Sequence, residues 1–287
     1  MLYNRKQLKQ ITNDVFQIIE KTIKKREFHL GDVKIELTDA IEVLRKTYSE
    51  KKPPCFSKPI SRLAYFVHYH PFHMIASIMA VNRFKEALQQ PLSSDDVSAI
   101  DLGCGPGAAS IGIDIYKKTY HNKSRRIQWD YIDKEHEWRQ LISLQRHKKD
   151  QLISKTVWPF DLSQCATNEL HPLEKVISNK HLIVSMGLIT ELGLGECSNL
   201  TRLIQNCSKG TYVLLGDIKN KATDKSTLSF FNESLKDFNS LGSEDFQFTV
   251  ESAWTRNKSL SEIYDRYDGI LQKRNLSFDF LLLQKDK

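Results

Sequence analysis

The stretch Ser98-Ala99-Ile100-Asp101-Leu102-Gly103-Cys104-Gly105-Pro106-Gly107-Ala108-Ala109-Ser110 decides how this chain is read. An apolar run ends in an acid, three glycines follow at alternate positions, and small residues then open a helical pattern. Such a turn joins a strand to a helix, lets backbone approach a ligand closely and turns the N–H groups of the helix N-terminus toward it. The spacing discriminates between ligands. A dinucleotide turn reads G-x-G-x-x-G, whereas Gly103, Gly105 and Gly107 form G-x-G-x-G, and Asp101 stands where the dinucleotide turn is normally apolar.

Working outward, short apolar runs at 97–102, 126–133, 156–162, 181–186 and 211–217 alternate with amphipathic stretches. That alternation predicts a parallel sheet with crossover helices on both faces. Helical patterns at 226–239 and 260–273 and strand patterns at 246–253 and 277–284 complete the C-terminal part. The first third reads as helices instead. Leu8, Ile11, Val15, Ile18 and Thr22 share one helical face, as do Leu37, Ile41, Leu44 and Tyr48. Lys51-Lys52-Pro53-Pro54 breaks the second pattern, and an apolar, aromatic segment over 61–88 contains Pro71 as a kink or restart point. The polar segment 91–96 marks a boundary between an N-terminal helical domain, 1–92, and an α/β domain, 93–287.

With 40% hydrophobic and 27% charged residues among 287, the chain has a globular composition and enough apolar side chains for a sizeable core. Its longest apolar runs, such as Phe280-Leu281-Leu282-Leu283, are too short for a bilayer, and its first residues lack a signal-peptide apolar region. The expectation is a soluble, cytoplasmic protein without a membrane partner. Cys55, Cys104, Cys165, Cys197 and Cys207 are odd in number and widely spaced, so neither a disulfide framework nor a zinc site is expected. The formal charge of +7 is unevenly placed: residues 1–92 hold 16 Lys and Arg against 9 Asp and Glu, and the remainder holds 26 of each. A basic appendage on a neutral body suits contact with phosphate backbones, and equally suits a solvated helical surface.

The stretch from Asp101 to Gly107 resembles the first motif of the class I S-adenosylmethionine-dependent methyltransferases, D-x-G-x-G-x-G at the end of strand one. The resemblance implies a Rossmann-like, seven-stranded, mostly parallel sheet preceded here by the N-terminal helices. It also implies S-adenosylmethionine as cofactor, held by Asp101, Gly103, Gly105 and Gly107. An acid at the end of strand two binds the ribose hydroxyls in that family, which points to Asp133 in Trp129-Asp130-Tyr131-Ile132-Asp133, with Asp130 as the alternative. Asp161 in Phe160-Asp161-Leu162 resembles the acid that meets the adenine amino group, or it caps a helix.

Strand four ends in Ser185-Met186-Gly187-Leu188-Ile189-Thr190-Glu191-Leu192, beside the place of the transferable methyl in that family. No Asn or Asp with Pro-Pro and an aromatic stands there, and no Pro-Cys pair, so neither a base-directed nor a covalent mechanism is assigned. In-line transfer by positioning remains. Ser185, with a further cofactor role, Met186 and Glu191 are the nearest catalytic candidates; packing, strand-end capping and a solvated helix position are their bland alternatives.

Upstream, Ala64-Tyr65-Phe66-Val67-His68-Tyr69-His70-Pro71-Phe72-His73 lacks the i, i+4 spacing of a helical zinc pair, and no metal is expected. Tyr69 and His70 are candidates to face the site as stacking surface or proton acceptor, with buried packing as the alternative for the aromatics. The order of these segments also resembles methyltransferase-like proteins associated with the mitochondrial small ribosomal subunit and their bacterial relatives, although the scattered cysteines do not form the cluster found there. This resemblance implies an RNA substrate and a small-subunit partner reached through the basic helices. The alternatives are a small-molecule or protein methyltransferase, and a catalytically silent assembly protein.

Overall fold

The computed structural model describes residues 5–25, 34–50, 52, 54–94, 96–121, 127–146, 157–162, 171–189, 191–192, 194–218, 226–250 and 274–286. Five helices come first: α1 (Arg5–Lys25), α2 (Lys34–Ser49), α3 (Pro59–His68), α4 (His70–Arg83) and the short α5 (Gln89–Ser93). Strands and helices then alternate through β1 (Val97–Leu102), α6 (Ala108–Tyr120), β2 (Ile127–Asp133), α7 (Trp138–Gln145), β3 (Val157–Pro159), α8 (His171–Ile177), β4 (Leu182–Met186), α9 (Leu194–Gln205), β5 (Tyr212–Ile218) and α10 (Ser226–Ser234). The long strands β6 (Phe238–Val250) and β7 (Arg274–Lys285) end the chain.

The strands form one sheet in the order β3-β2-β1-β4-β5-β7-β6. Strands β1 to β5 pair in parallel, and β7 inserts antiparallel between β5 and β6. This is the expected seven-stranded, mostly parallel architecture. Chain order runs outward from β1 to β3 and resumes on the other side of β1 with β4, so the crevice outside the carboxyl ends of β1 and β4 is the topological switch point where such sheets bind ligands.

Several boundaries differ from the sequence reading. The helix begun at 226 stops at Ser234 because Phe238 already pairs with Lys285, so 238–245 is strand. The third strand shrinks to three residues, and the helical pattern at 260–273 lies outside the described residues. Around Pro71 the chain restarts: α3 ends at His68, and Pro71 occupies the first turn of α4, where its missing N–H costs nothing.

Strand alternation divides the interior in two. Val97, Ala99, Leu182, Val184 and Tyr131 face a cluster that continues through α6 and α4 to Leu8, Val15 and Phe16 of α1. Ile100, Leu102, Ile183 and Leu215 face the other, against α8, α9 and α10. Helices α1 to α5 therefore share one core with the sheet. The junction is tightest where α4 crosses α6: a Cβ on Gly112 would stand 2.8 Å from the Met74 carbonyl oxygen, so only glycine permits this approach. No helix among the described residues is long and apolar enough to cross a membrane.

Candidate functional site

The glycine turn leaves β1 at the switch point. Gly103, Gly105 and Gly107 have φ of +65°, +50° and +84°, a left-handed path that side chains with a Cβ resist, so the alternate glycines are the condition for the turn. Below it, the buried Asp101 carboxylate accepts from Ser110 N at 3.2 Å and so holds the first turn of α6; burial raises its pKa to about 7. Beside it, Asp133 at the end of β2 accepts from Gly105 N at 2.7 Å and from Glu135 N at 2.9 Å, and burial raises it to about 6. The register agrees, since Leu102 pairs with Ile132 and Cys104 N donates to the Ile132 carbonyl. Asp130 lies lower on the strand in an ion pair with Lys180, away from the turn. Asp161 follows the end of β3, whose Pro159 pairs with Asp133.

Ser185 is buried inside the sheet, and its hydroxyl donates to the Leu102 carbonyl at 3.1 Å, which ties the ends of β4 and β1 together. Met186 is packed in the core. Leu188, two residues on, would overlap any Cβ on Gly103 at 2.8 Å, so the segment after β4 lies directly on the glycine turn.

Glu191 stands in a turn rather than on a helix, half-buried. Its Oε1 accepts from the Tyr48 hydroxyl at 2.8 Å, linking α2 to the sheet. Burial raises its pKa to about 8; the Tyr48 hydrogen bond opposes the rise and the Asp133 and Asp217 charges add to it. The Tyr65 phenol lies among the same carboxylates and is pushed well above its ordinary value by burial and then by Glu191, Asp133 and Asp217.

The aromatic-histidine segment roofs this floor. Tyr65 is the side chain nearest to the open face of Gly105, with Cε1 3.8 Å from where a Cβ would stand. Its hydroxyl shares a 3.1 Å hydrogen bond with His73 Nδ1, and the His73 ring covers Gly187. Tyr69 is half-buried and stacks on Tyr65 at 5.6 Å and 25°. His70 points elsewhere. Its Nε2 meets Gln145 Oε1 at 2.7 Å, and Gln145 Nε2 donates to the Pro106 carbonyl at 2.8 Å, so His70 braces the glycine turn from behind instead of facing the reacting space. Burial lowers His70 to about 3 and His73 to about 4, keeping both neutral.

Beside the roof, where β4 and β5 end, lies a cleft of about 300 Å³ lined by residues that include Arg45, Tyr48, Tyr69, His73, Gly187 and Asp217. Of the sequence candidates only Tyr69 borders it. His73 and Asp217 went unnamed as candidates, although each had a signal: His73 lies four residues after Tyr69 on one helical face, and Asp217 ends a strand as Asp133 does. Tyr48 and Arg45, on a distant helix, had none. Among the described residues no group of three or more His, Cys, Asp or Glu side chains could hold a metal ion.

No family model and no curated protein matches the chain. Solved structures do. A candidate RNA methyltransferase from Pyrococcus horikoshii is 10% identical with a TM-score of 0.48, covering 88% of this chain and 96% of its own. Coclaurine N-methyltransferase bound to N-methylheliamine and SAH is 14% identical with a TM-score of 0.46, covering 97% and 98%. The [4+2]-cyclase SpnF is 12% identical with a TM-score of 0.44, covering 72% and 82%. The strand order of this chain carries the assignment, with β7 antiparallel between β5 and β6. Its fold is that of the class I methyltransferases. Within that fold the glycine turn, Asp133 and Glu191 gather at the switch point, while His70 and Ser185 serve the scaffold around it.

Proposed function

We propose that the chain is an S-adenosylmethionine-dependent methyltransferase. The observation that supports this most is the left-handed glycine turn at the switch point, with Gly105 N tied to the Asp133 carboxylate. The residues fit the cofactor. The space over Gly105 is one that a Cβ would fill, Asp133 suits a ribose diol, and Asp161, just past β3, is read as the acid for the adenine side. When bound, the cofactor supplies an electrophilic methyl group on a cationic sulfonium. The Asp133 carboxylate near Tyr65 favours a cation there, and the protein's task is alignment of a nucleophile with that methyl.

For the acceptor, RNA of the translation apparatus is supported by the positive excess in residues 1–92. Within the basic cluster at the end of α1, Lys24 pairs with Glu20 at 2.6 Å and Lys25 donates to the Leu144 carbonyl at 2.8 Å; Lys21 is exposed, and Arg26 lies outside the described residues. A small-molecule acceptor is the second reading, favoured by the size and aromatic walls of the cleft.

The test is incubation with methyl-labelled cofactor and separated RNA, protein and metabolite fractions, after calorimetry with S-adenosylmethionine and NAD. Label in one fraction identifies the acceptor class. Calorimetry showing NAD binding without any response to S-adenosylmethionine overturns the reading, and cofactor binding without labelled product in any fraction leaves an assembly protein.

A further inference from the structure

On the face of Gly105 assigned above to the cofactor, a side chain already stands. Carbon atoms in contact sit about 3.5–4 Å apart, so a ligand layered between the glycine and a facing ring needs that spacing twice. The Tyr65 ring leaves it once: its Cε1 is 3.8 Å from where a Cβ on Gly105 would stand. The ring and a ligand resting on this face therefore exclude each other.

Tyr65 is held in that place from the other side. It is 8% exposed, with Phe56 edge-on at 5.1 Å, Tyr69 stacked at 5.6 Å and Trp138 tilted at 5.8 Å between ring centroids. Its hydroxyl is tied to α4 through the 3.1 Å hydrogen bond with His73 Nδ1, whereas its contact with the turn is van der Waals only. There is room for the ring to yield. Tyr69 and His73, its stacking and hydrogen-bonding partners, both border the cleft of about 300 Å³, so they can give way on the side away from the turn.

We propose that Tyr65 is a gate on the cofactor site: its ring stands in the cofactor's place over Gly105, and it must release His73 and turn aside before the cofactor settles on the turn. The proposal rests on the methyltransferase reading above and adds a control to that same site. A closed gate lowers affinity, because apparent affinity is the intrinsic affinity multiplied by the fraction of molecules in which the site is free. A wall residue does the reverse, since a ring packed on the bound cofactor adds contact. The sign of the effect of removing the ring separates the two.

The test is calorimetry with S-adenosylhomocysteine on the wild type and on Tyr65→Phe, Tyr65→Leu and Tyr65→Ala, with circular dichroism to report that each is folded. Tyr65→Phe keeps the ring and removes only its tie to His73, so binding should tighten by roughly threefold or more, as the loss of one neutral hydrogen bond allows. Tyr65→Leu and Tyr65→Ala withdraw the ring from Gly105 as well, and binding should tighten by roughly tenfold or more. Affinity that stays level or falls along this series overturns the proposal and makes Tyr65 a wall of the site, while the methyltransferase reading stands. The Phe and Leu variants decide the matter where the Ala variant does not fold. Binding by the variants alone, with none by the wild type, supports the gate. Absence of binding by the wild type and every variant is a different result: it removes the methyltransferase reading and the gate with it.

Discussion

The floor and the roof of the site are built by different means. The floor is backbone: three glycines in left-handed conformation, carbonyls and N–H groups at strand ends, and two carboxylates that hold those N–H groups. The roof is side chain: Tyr65, Tyr69 and His73 from α3 and α4, reached by Tyr48 from α2. A backbone site must be written locally, because a short run of residues has to take a rare path. A side-chain site can draw on any helix that the core brings near. The contrast implies that the floor serves a constant ligand and the roof a particular one, and each of the following measurements bears on that division.

The largest effect belongs to the floor. Gly105→Val places a β-branched side chain at φ +50°, and the nearest neighbour of its Cβ is 3.8 Å away, so strain falls on the turn while the fold has room to survive. S-adenosylmethionine binding should fall by at least a hundredfold; a folded variant that binds normally would show that the turn is not the cofactor site. Asp133→Ala comes next. It removes charged hydrogen-bond capacity and frees Gly105 N, at a cost of ~1.5–3 kcal/mol in cofactor binding, or about ten- to a hundredfold. Asp130→Ala should leave affinity unchanged because Lys180 holds that carboxylate elsewhere. The reverse pattern would move the ribose site down the strand.

A smaller effect tests the joint between the regions. Glu191 has a carboxyl raised from its ordinary 4.5 to about 8, so between those values the folded protein holds a proton that the unfolded chain has lost. Stability should therefore fall as pH rises through this window. Asp101, at about 7, and Asp133, at about 6, act in the same direction. His70 and His73 act oppositely, because their depressed values make stability rise with pH through 6.5, the midpoint of a free histidine, and that rise fades only about one unit higher. Thermal unfolding above about pH 7.5 is thus the clean window, and Glu191→Gln should flatten the decline there without removing it. An unchanged slope would mean that burial does not keep Glu191 protonated through this window.

The smallest effect on the cofactor comes from outside both regions. Neutralising Lys21, Lys24, Lys25 and Arg26 together should leave S-adenosylmethionine affinity as it was. If these residues meet RNA, each lost phosphate contact lowers the log-log salt slope of RNA binding by roughly 0.7 to 0.9. With Lys24 and Lys25 already engaged within the protein, the expected change is at most two contacts' worth. An identical slope and affinity would leave the cluster as a solvated surface and put the small-molecule reading ahead.

The sequence by itself determined the alternation of strands and helices, the glycine turn and the acid at the end of β2. These are local signals, set by periodicity, by the left-handed path that alternate glycines permit, and by the reach of a carboxylate one strand away. It also placed Asp217 at a strand end without saying which strands would be its neighbours. Only the tertiary structure decided that β4 lies beside β1, that α2 delivers Tyr48 to Glu191 across 143 positions of sequence, and that His73 faces the cleft while His70 braces Gln145. Those two histidines lie three positions apart on one helix, and the spacing alone allows either to point inward. The choice came from the packing of α4 against α6, where Gly112 lets the helices close to backbone contact and so fixes the rotation of the whole segment. Pairings between distant elements follow from how the core closes, and no local pattern in the chain encodes that closure.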